Sequence, residues 1–513
     1  MRNSRYWILF AVCAVGWLIV FVSLAPSMSG EDVYIFRDAG WNLAASGSFE
    51  SAALVQMRDL NPRLYAHYTP LMPLLFAGYA SVFPRNAYAG TIFNLLIGLA
   101  AAAVALRFVL RQQAGALRNA AAAVVAILPI VFITYDRPEA LALVLCGGAI
   151  AIAARPDAMP VFAGVLIALT FLDHPFGAGA AALWVGALFL ARNWTLPERW
   201  MRTVGQIAII AAVAVALIAP VSLVFYMLDH ESLRRFAGHA LGMHSGLGVA
   251  VSTDQRSGFL HGIRTSLFGA GILETFSYLL SLASSVLLAA WSFLHRHELK
   301  AAEWLPVLAG LGCALTAFFL FPGQRNYATF VAFLIPVGLL ISSARAAKLA
   351  TPGLSLLLLA VVIALPSSAL SVVKRFEQRS SYRAAQQQPS YLRAQLPDRE
   401  AIVAVLGDSY DLFKPEFHHM IRLNEVDDKD RYAKLAAVAN CYDAFQGQAG
   451  TVIPLPAKLN ATDFHLIQPD PEHMWVTLFG HRAMRGQWGY GCDLYLRNSA
   501  AAGKAPEGIQ ATQ

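Results

Sequence analysis

Several charged residues in this chain stand where a long apolar run meets a polar segment, and their types narrow the chemistry open to them. Glu31 and Asp32 follow on the first apolar run; Asp136 and Arg137 separate the third from the fourth, which Glu139 opens; Asp173 closes the fifth and His174 links it to the sixth; Arg325 precedes a late one, at whose start Tyr327 stands. A carboxylate at such a place can deprotonate a hydroxyl, bind a cation or hold a polar solute. An arginine there can grip two oxygens of a phosphate with its planar fork. Bland readings compete with each. Glu31 and Asp32 can be solvated acids or helix caps, Arg137 can pair structurally with Asp136 and Glu139, the arginines can snorkel to lipid headgroups, and His174 before Pro175 can simply end a helix. Glu274 is expected within an apolar span or at its start, and ionisable groups inside spans usually face the protein. His239 and His244 are five apart, so they do not share a helical face, and no Cys/His ligand spacing occurs. Neither a GxGxxG motif nor a P-loop is present, which leaves nucleotide use without support.

The elements that position these residues follow from the apolar runs. Of 513 residues, 57% are hydrophobic and 14% charged, with a mean hydropathy of +0.51, far more apolar than one soluble core needs. Runs recur near 6–26, 87–110, 119–134, 138–154, 159–173, 175–191, 204–228, 267–294, 304–321, 326–343 and 352–373. Each approaches the roughly 20 residues that cross the hydrocarbon as a helix. The first, behind Arg2 and Arg5, exceeds a signal peptide's apolar region and is expected to stay as an anchor. The net charge of +7 comes from scattered short-loop residues, not a basic patch, so nucleic acid is not the expected partner. Those residues report topology. Arg107, Arg111 and Arg118, then Arg155, then Arg192, Arg199 and Arg202, then Arg296 and Lys300, then Arg345 and Lys348 fall in alternate loops. The positive-inside rule puts those loops and the N-terminus in the cytoplasm, and about eleven spans then put the C-terminal segment outside. The expected division is a membrane domain over 1–373, with outer loops 27–86 and 229–266, and a soluble domain over 374–513.

Within the first outer loop, Tyr68–Phe83 is too short to span and reads as an interfacial helix. The glycines from Gly238 to Gly262 in the second suit a mobile lid or plain flexibility. Beyond Lys374, strand-like runs at Ala401–Leu406, Trp475–Phe479 and Asp493–Arg497 predict a small α/β domain. Gly407-Asp-Ser after the first run resembles an esterase turn weakly, since turns favour these residues anyway. Cys13, Cys146 and Cys313 fall inside spans as packing residues. Cys441 and Cys492 fall in the C-terminal segment, as a disulfide if it faces an oxidising compartment or as two buried thiols.

Three stretches carry a resemblance to a known family. Gly30-Glu31-Asp32-Val-Tyr34 runs on into Ala39 to Phe49, then His67-Tyr-Thr-Pro70-Leu-Met-Pro73-Leu follows, and later Arg137-Pro-Glu139 opens the fourth span. In this order they resemble the GT-C glycosyltransferase superfamily, which uses polyprenyl-phosphate sugars, in the manner of the aminoarabinose transferases and protein mannosyltransferases. The resemblance covers residues 1 to about 345. Gln324-Arg325-Asn-Tyr327 ahead of Pro336 is similar to a late arginine-tyrosine element, although Asn326 separates the pair.

The resemblance implies transfer of a sugar from a polyprenyl-phosphate donor to a glycan, lipid or protein acceptor at the outer face of a bacterial inner membrane. Asp32, with Glu31, is the expected base, and inversion at the anomeric carbon the expected outcome. Arg325, Tyr327, Glu139, Arg137, His67 and His174 are the expected substrate-binding residues. No metal site is assigned; a divalent ion is compatible with the superfamily. The rival is a multi-span transporter or flippase, which predicts ionisable residues at mid-membrane and related halves with broken helices. Neither is evident.

Overall fold

A computed structural model describes residues 3–26, 31–50, 69–127, 138–244, 283–284, 286–320, 325–396, 398, 401–406, 409–417, 420–422, 435–441, 455, 459–468, 476–478, 481–483 and 491–498. The helices are α1 (Ser4–Ser23), α2 (Glu31–Ser46), α3 (Leu71–Val82), α4 (Ala89–Val109), α5 (Ala116–Ile127), α6 (Glu139–Ala153), α7 (Pro160–Asp173), α8 (Pro175–Asn193), α9 (Arg199–His244), α10 (Ala301–Leu320), α11 (Arg325–Ser342) and α12 (Ala350–Glu377). Five helical stretches among the described residues are long and apolar enough to cross a membrane: Ser4–Ser23, Ala89–Val109, Pro175–Asn193, Arg199–Met227 and Ala347–Pro366. Shorter apolar helices accompany them, and the chain is a multi-pass membrane protein. Apolar residues stay exposed on helical stripes such as Ile8, Val12, Val15 and Ile19 on α1. Water would penalise that surface and lipid does not.

The chain divides into two units. The first comprises Met1–Leu18, Ala66–Met72 and Asn94–Ala369. In it α7 packs on α6 and α9, α8 on α6, α7 and α10, and α11 on α6 and α10. Proline opens both α7 and α8, where its missing N–H would have had no helical partner anyway. Trp184 of α8 is fully buried and donates from its indole to Ser342 Oγ at 3.2 Å. Its ring occupies the space a side chain at Gly338 of α11 would need, so the glycine is what lets α8 and α11 approach.

Several of the short basic loops meet one another in this unit. Gln112 donates to the Leu340 carbonyl at 3.2 Å and accepts from Ser343 Oγ at 2.9 Å. Arg345 donates to the carbonyls of Ala154 and Arg155, and Lys348 to that of Glu298 at 3.0 Å. Helix α9 runs on to His244, into the segment expected as an outer loop over 229–266. Residues such as Glu231, Leu233, Arg234 and Ala237 favour helix in water as well as in lipid, so the end of an apolar run need not end the helix. The rest of that loop, with Gly246 to Gly262, lies outside the described residues, as does Glu274.

The second unit comprises Ile19–Tyr65, Pro73–Phe93 and Leu370–Gln513. Helices α13 (Arg379–Ala385) and α14 (Gln388–Gln395) lead into β1 (Ile402–Leu406), then come α15 (Tyr410–Phe413), β2 (Met420–Arg422), β3 (Leu435–Asn440), β4 (Phe464–Gln468), β5 (Val476–Leu478), β6 (His481–Ala483) and β7 (Asp493–Arg497). Five strands form one sheet in the order β2-β1-β3-β7-β4, with β1 parallel to β2 and β3, and β7 antiparallel to β3 and β4. Val403, Val405, Phe413, Phe417 and Met420 bury one face of it against Ala385 and Leu392.

Register explains the cysteines. Asn440 of β3 pairs with Asp493 of β7, so the next residues outward along this antiparallel pair are Cys441 and Cys492. They form a disulfide, with Cα atoms 4.0 Å apart. Gln388 clamps the same corner, donating to the Cys492 carbonyl at 2.6 Å and accepting from its N–H at 3.0 Å.

Candidate functional site

Three of the substrate-binding residues expected from sequence come together in the first unit, although 188 positions separate the first from the last in sequence. Glu139 is the first residue of α6, His174 the link between α7 and α8, and Tyr327 lies in the first turn of α11; all three are buried. His174 Nε2 lies 3.9 Å from Glu139 Oε1. The imidazole meets the Tyr327 ring edge-on at 4.9 Å, and Phe176 stacks on that ring at 5.0 Å. Phe330 closes the group at 5.4 Å from His174.

Local sequence accounts for the histidine. Pro175 stops α7 from continuing and starts α8, and His174 stays extended between them as N-cap of α8. Its Nδ1 accepts from the Gly177 N–H at 3.0 Å, one of the four amides a helix start leaves open. That bond assigns the proton to Nε2 in the neutral ring, the nitrogen turned toward Glu139.

Asp173 was not among the expected site residues, yet it belongs here. It is fully buried, and its carboxylate oxygens have no hydrogen-bond partner among the described residues. Thr69 Oγ1 donates to its carbonyl at 2.6 Å. Its position beside His174 at the end of an apolar run was the available signal. Two buried acids, an imidazole and a phenol bounded by aromatic rings can receive hydroxyls or a cation and hold a proton. Among the described residues no group of three or more His, Cys, Asp or Glu side chains is arranged to hold a metal.

The remaining expected residues are placed less fully. Glu31 and Asp32 are the first residues of α2, in the second unit, and their side chains lie outside the described residues. Arg325 opens α11 two residues before Tyr327; its side chain is likewise not described. His67, Asp136 and Arg137 lie outside the described residues.

No family model matches the sequence, and no curated protein does. Solved structures do. ArnT from Cupriavidus metallidurans bound to undecaprenyl phosphate superimposes with a TM-score of 0.53 at 13% identity, over 99% of this chain and 100% of that one. This chain shares the fold of that ArnT. The apo form of the same ArnT gives 0.49 at 14% identity, over 99% and 100% of the two chains. An Archaeoglobus fulgidus oligosaccharyltransferase tethered to an acceptor peptide gives 0.45 at 12%, over 85% and 69%. At such low identity the likeness to the undecaprenyl phosphate-bound ArnT speaks for the fold alone, and it extends along nearly the whole chain.

Proposed function

We propose that this protein is a membrane glycosyltransferase that takes a sugar from a polyprenyl-phosphate donor and attaches it to an acceptor at the extracytoplasmic face. The observation that carries the reading is the likeness, over 99% of the chain, to an ArnT whose structure holds undecaprenyl phosphate. The buried Glu139, His174 and Tyr327 cluster supports it as a polar site among apolar helices. About eleven spans, a cytoplasmic N-terminus and an extracytoplasmic α/β domain over 374–513 belong to the same reading. The Cys441–Cys492 disulfide supports that side, because disulfides persist in oxidising compartments.

The chemistry asks little of the protein beyond positioning and one proton transfer, since a polyprenyl phosphate is already a competent leaving group. The Asp32 carboxylate takes the proton of the acceptor hydroxyl. The freed oxygen pair attacks the anomeric carbon from the face opposite the phosphate, the bond from that carbon to the phosphate oxygen breaks, and configuration inverts. Glu31 holds the acceptor. The negative charge that collects on the leaving phosphate is met by Arg325, whose fork suits two oxygens, with Arg137 as a second donor. Glu139, His174, Tyr327 and His67 bind substrate.

Transfer of labelled sugar from synthetic polyprenyl-phosphate donors by the purified protein in lipid tests this reading. Asp32→Asn lowers kcat by about 10²–10⁴-fold if Asp32 is the base. Arg325→Ala lowers it by about 10²–10³-fold if Arg325 stabilises the leaving group. Full activity of the Asp32 variant removes the proposed base. Absence of transfer from every donor, with movement of a solute across sealed vesicles, establishes the transporter instead.

A further inference from the structure

Lysine 414 is buried in the second unit, and two of its partners belong to α2. Its ammonium lies 2.7 Å from Asp38 Oδ1 and donates to Asn42 Oδ1 at 2.8 Å. The lysine side chain is 2% exposed and that of Asp38 0%, so the pair is removed from water. Lys414 follows α15 in the crossover from β1 to β2, and Phe413 and Phe417 on either side are buried in the core under the sheet. That core holds the backbone of the lysine in place.

Asp38 and Asn42 are four apart on α2, so they share a face one turn from each other. An ammonium bound to both fixes the rotation of the helix and its position along its axis. Apolar contacts cannot do this as sharply, because they are non-directional. The neighbouring contacts act in the same sense: the Arg37 guanidinium fills the space beside Gly90 in the first turn of α4, and Trp41 meets Phe76 of α3 edge-on at 5.1 Å. A buried ion pair is a poor device for stability, since an apolar pair of similar volume often serves as well; setting register is its best-attested use.

Six residues before Asp38, about 9 Å along the helix axis, stands Asp32. We propose that Lys414 is a positioning residue: by clamping Asp38 and Asn42 it sets the register of α2 and thereby the place of the Glu31–Asp32 pair at its start. The inference rests on the glycosyltransferase reading, in which Asp32 acts on the acceptor. The C-terminal segment then acts on the reaction through α2.

The test compares full-length wild type with Asp38→Leu/Lys414→Met in lipid, reading kcat, donor KM and unfolding temperature with polyprenyl-phosphate sugars. The apolar pair keeps the unfolding temperature near that of wild type, while kcat falls by about 10–100-fold, as a misplacement near 1 Å does, and donor KM stays within about threefold. Lys414→Arg, which keeps a cation, recovers part of the lost kcat. Wild-type kcat in the folded apolar variant overturns the proposal and leaves the pair a structural one; so does a rise in donor KM at unchanged kcat. Should the apolar pair fail to fold, Asp38→Asn/Lys414→Gln decides, because its neutral amides still pair and the shorter glutamine still shifts α2. A wild type that transfers from no donor ends the glycosyltransferase reading and this inference together, whereas an active wild type beside an equally active double variant ends this inference alone.

Discussion

His174 has two different jobs on its two nitrogens. Nδ1 caps α8 through the Gly177 N–H, and Nε2 faces Glu139. Sequence left open whether this histidine orients a substrate or ends a helix, and the geometry shows the helix end directly. The two jobs separate by mutation. His174→Ala loses the cap and destabilises the protein by about 0.5–2 kcal/mol, whereas His174→Asn, which caps as well, recovers most of that loss. Thermal unfolding of the purified variants reads this difference. If the Glu139-facing nitrogen serves substrate binding, both variants show a raised donor or acceptor KM despite the recovered stability. An Asn variant with wild-type KM confines His174 to capping.

At the scale of elements, close approach between helices depends on what side chains leave room for. The ring of Trp184 covers Gly338, so α8 and α11 approach at that point. Gly338→Ala therefore forces the tryptophan from its place and from Ser342, with an expected loss of about 1–3 kcal/mol from overpacking. Denaturation in mild detergent with tryptophan fluorescence as the signal checks it; a neutral Gly338→Ala means the helices can part without penalty. A Cβ at position 90 would strike the Arg37 guanidinium in the same way. Neither glycine announces itself in the sequence, because both stand in ordinary helical runs and their constraint comes from a distant side chain.

Across the whole molecule, the two units rely on different stabilising devices. The first buries alanine, leucine and valine between helices, and the lipid-facing stripes need no cover. The second holds a small sheet with a disulfide that closes a loop of 51 residues. Chain entropy assigns a link of that span about 4 kcal/mol. Cys441→Ser/Cys492→Ser is expected to lower the stability of the sheet by an amount of that order, read by denaturant unfolding, while helical content by circular dichroism stays unchanged. Equal stability with and without the link would mean that the sheet core and the Gln388 clamp suffice.

What could be read from the chain alone was whatever depends on local partition. The observed helices over Ala89–Val109, Glu139–Ala153, Pro160–Asp173, Pro175–Asn193 and Arg325–Ser342 agree within a few residues with the runs expected at 87–110, 138–154, 159–173, 175–191 and 326–343, because each run satisfies its own backbone and chooses lipid or protein over water by itself. Strands β1, β5 and β7 were legible for the similar reason that alternating and β-branched residues mark them locally. Part of the candidate site was legible too, in Glu139, His174 and Tyr327, since an ionisable or polar group beside an apolar run is conspicuous. Helix α9 beyond residue 228 was not, because propensity continues where hydropathy stops. Only the tertiary structure decided which residues meet: that Asp173 joins the histidine cluster, that Cys441 finds Cys492 through the register of β3 and β7, and that Lys414 reaches Asn42 across 372 positions. Those outcomes depend on packing and strand register, which join residues that share no local sequence signal.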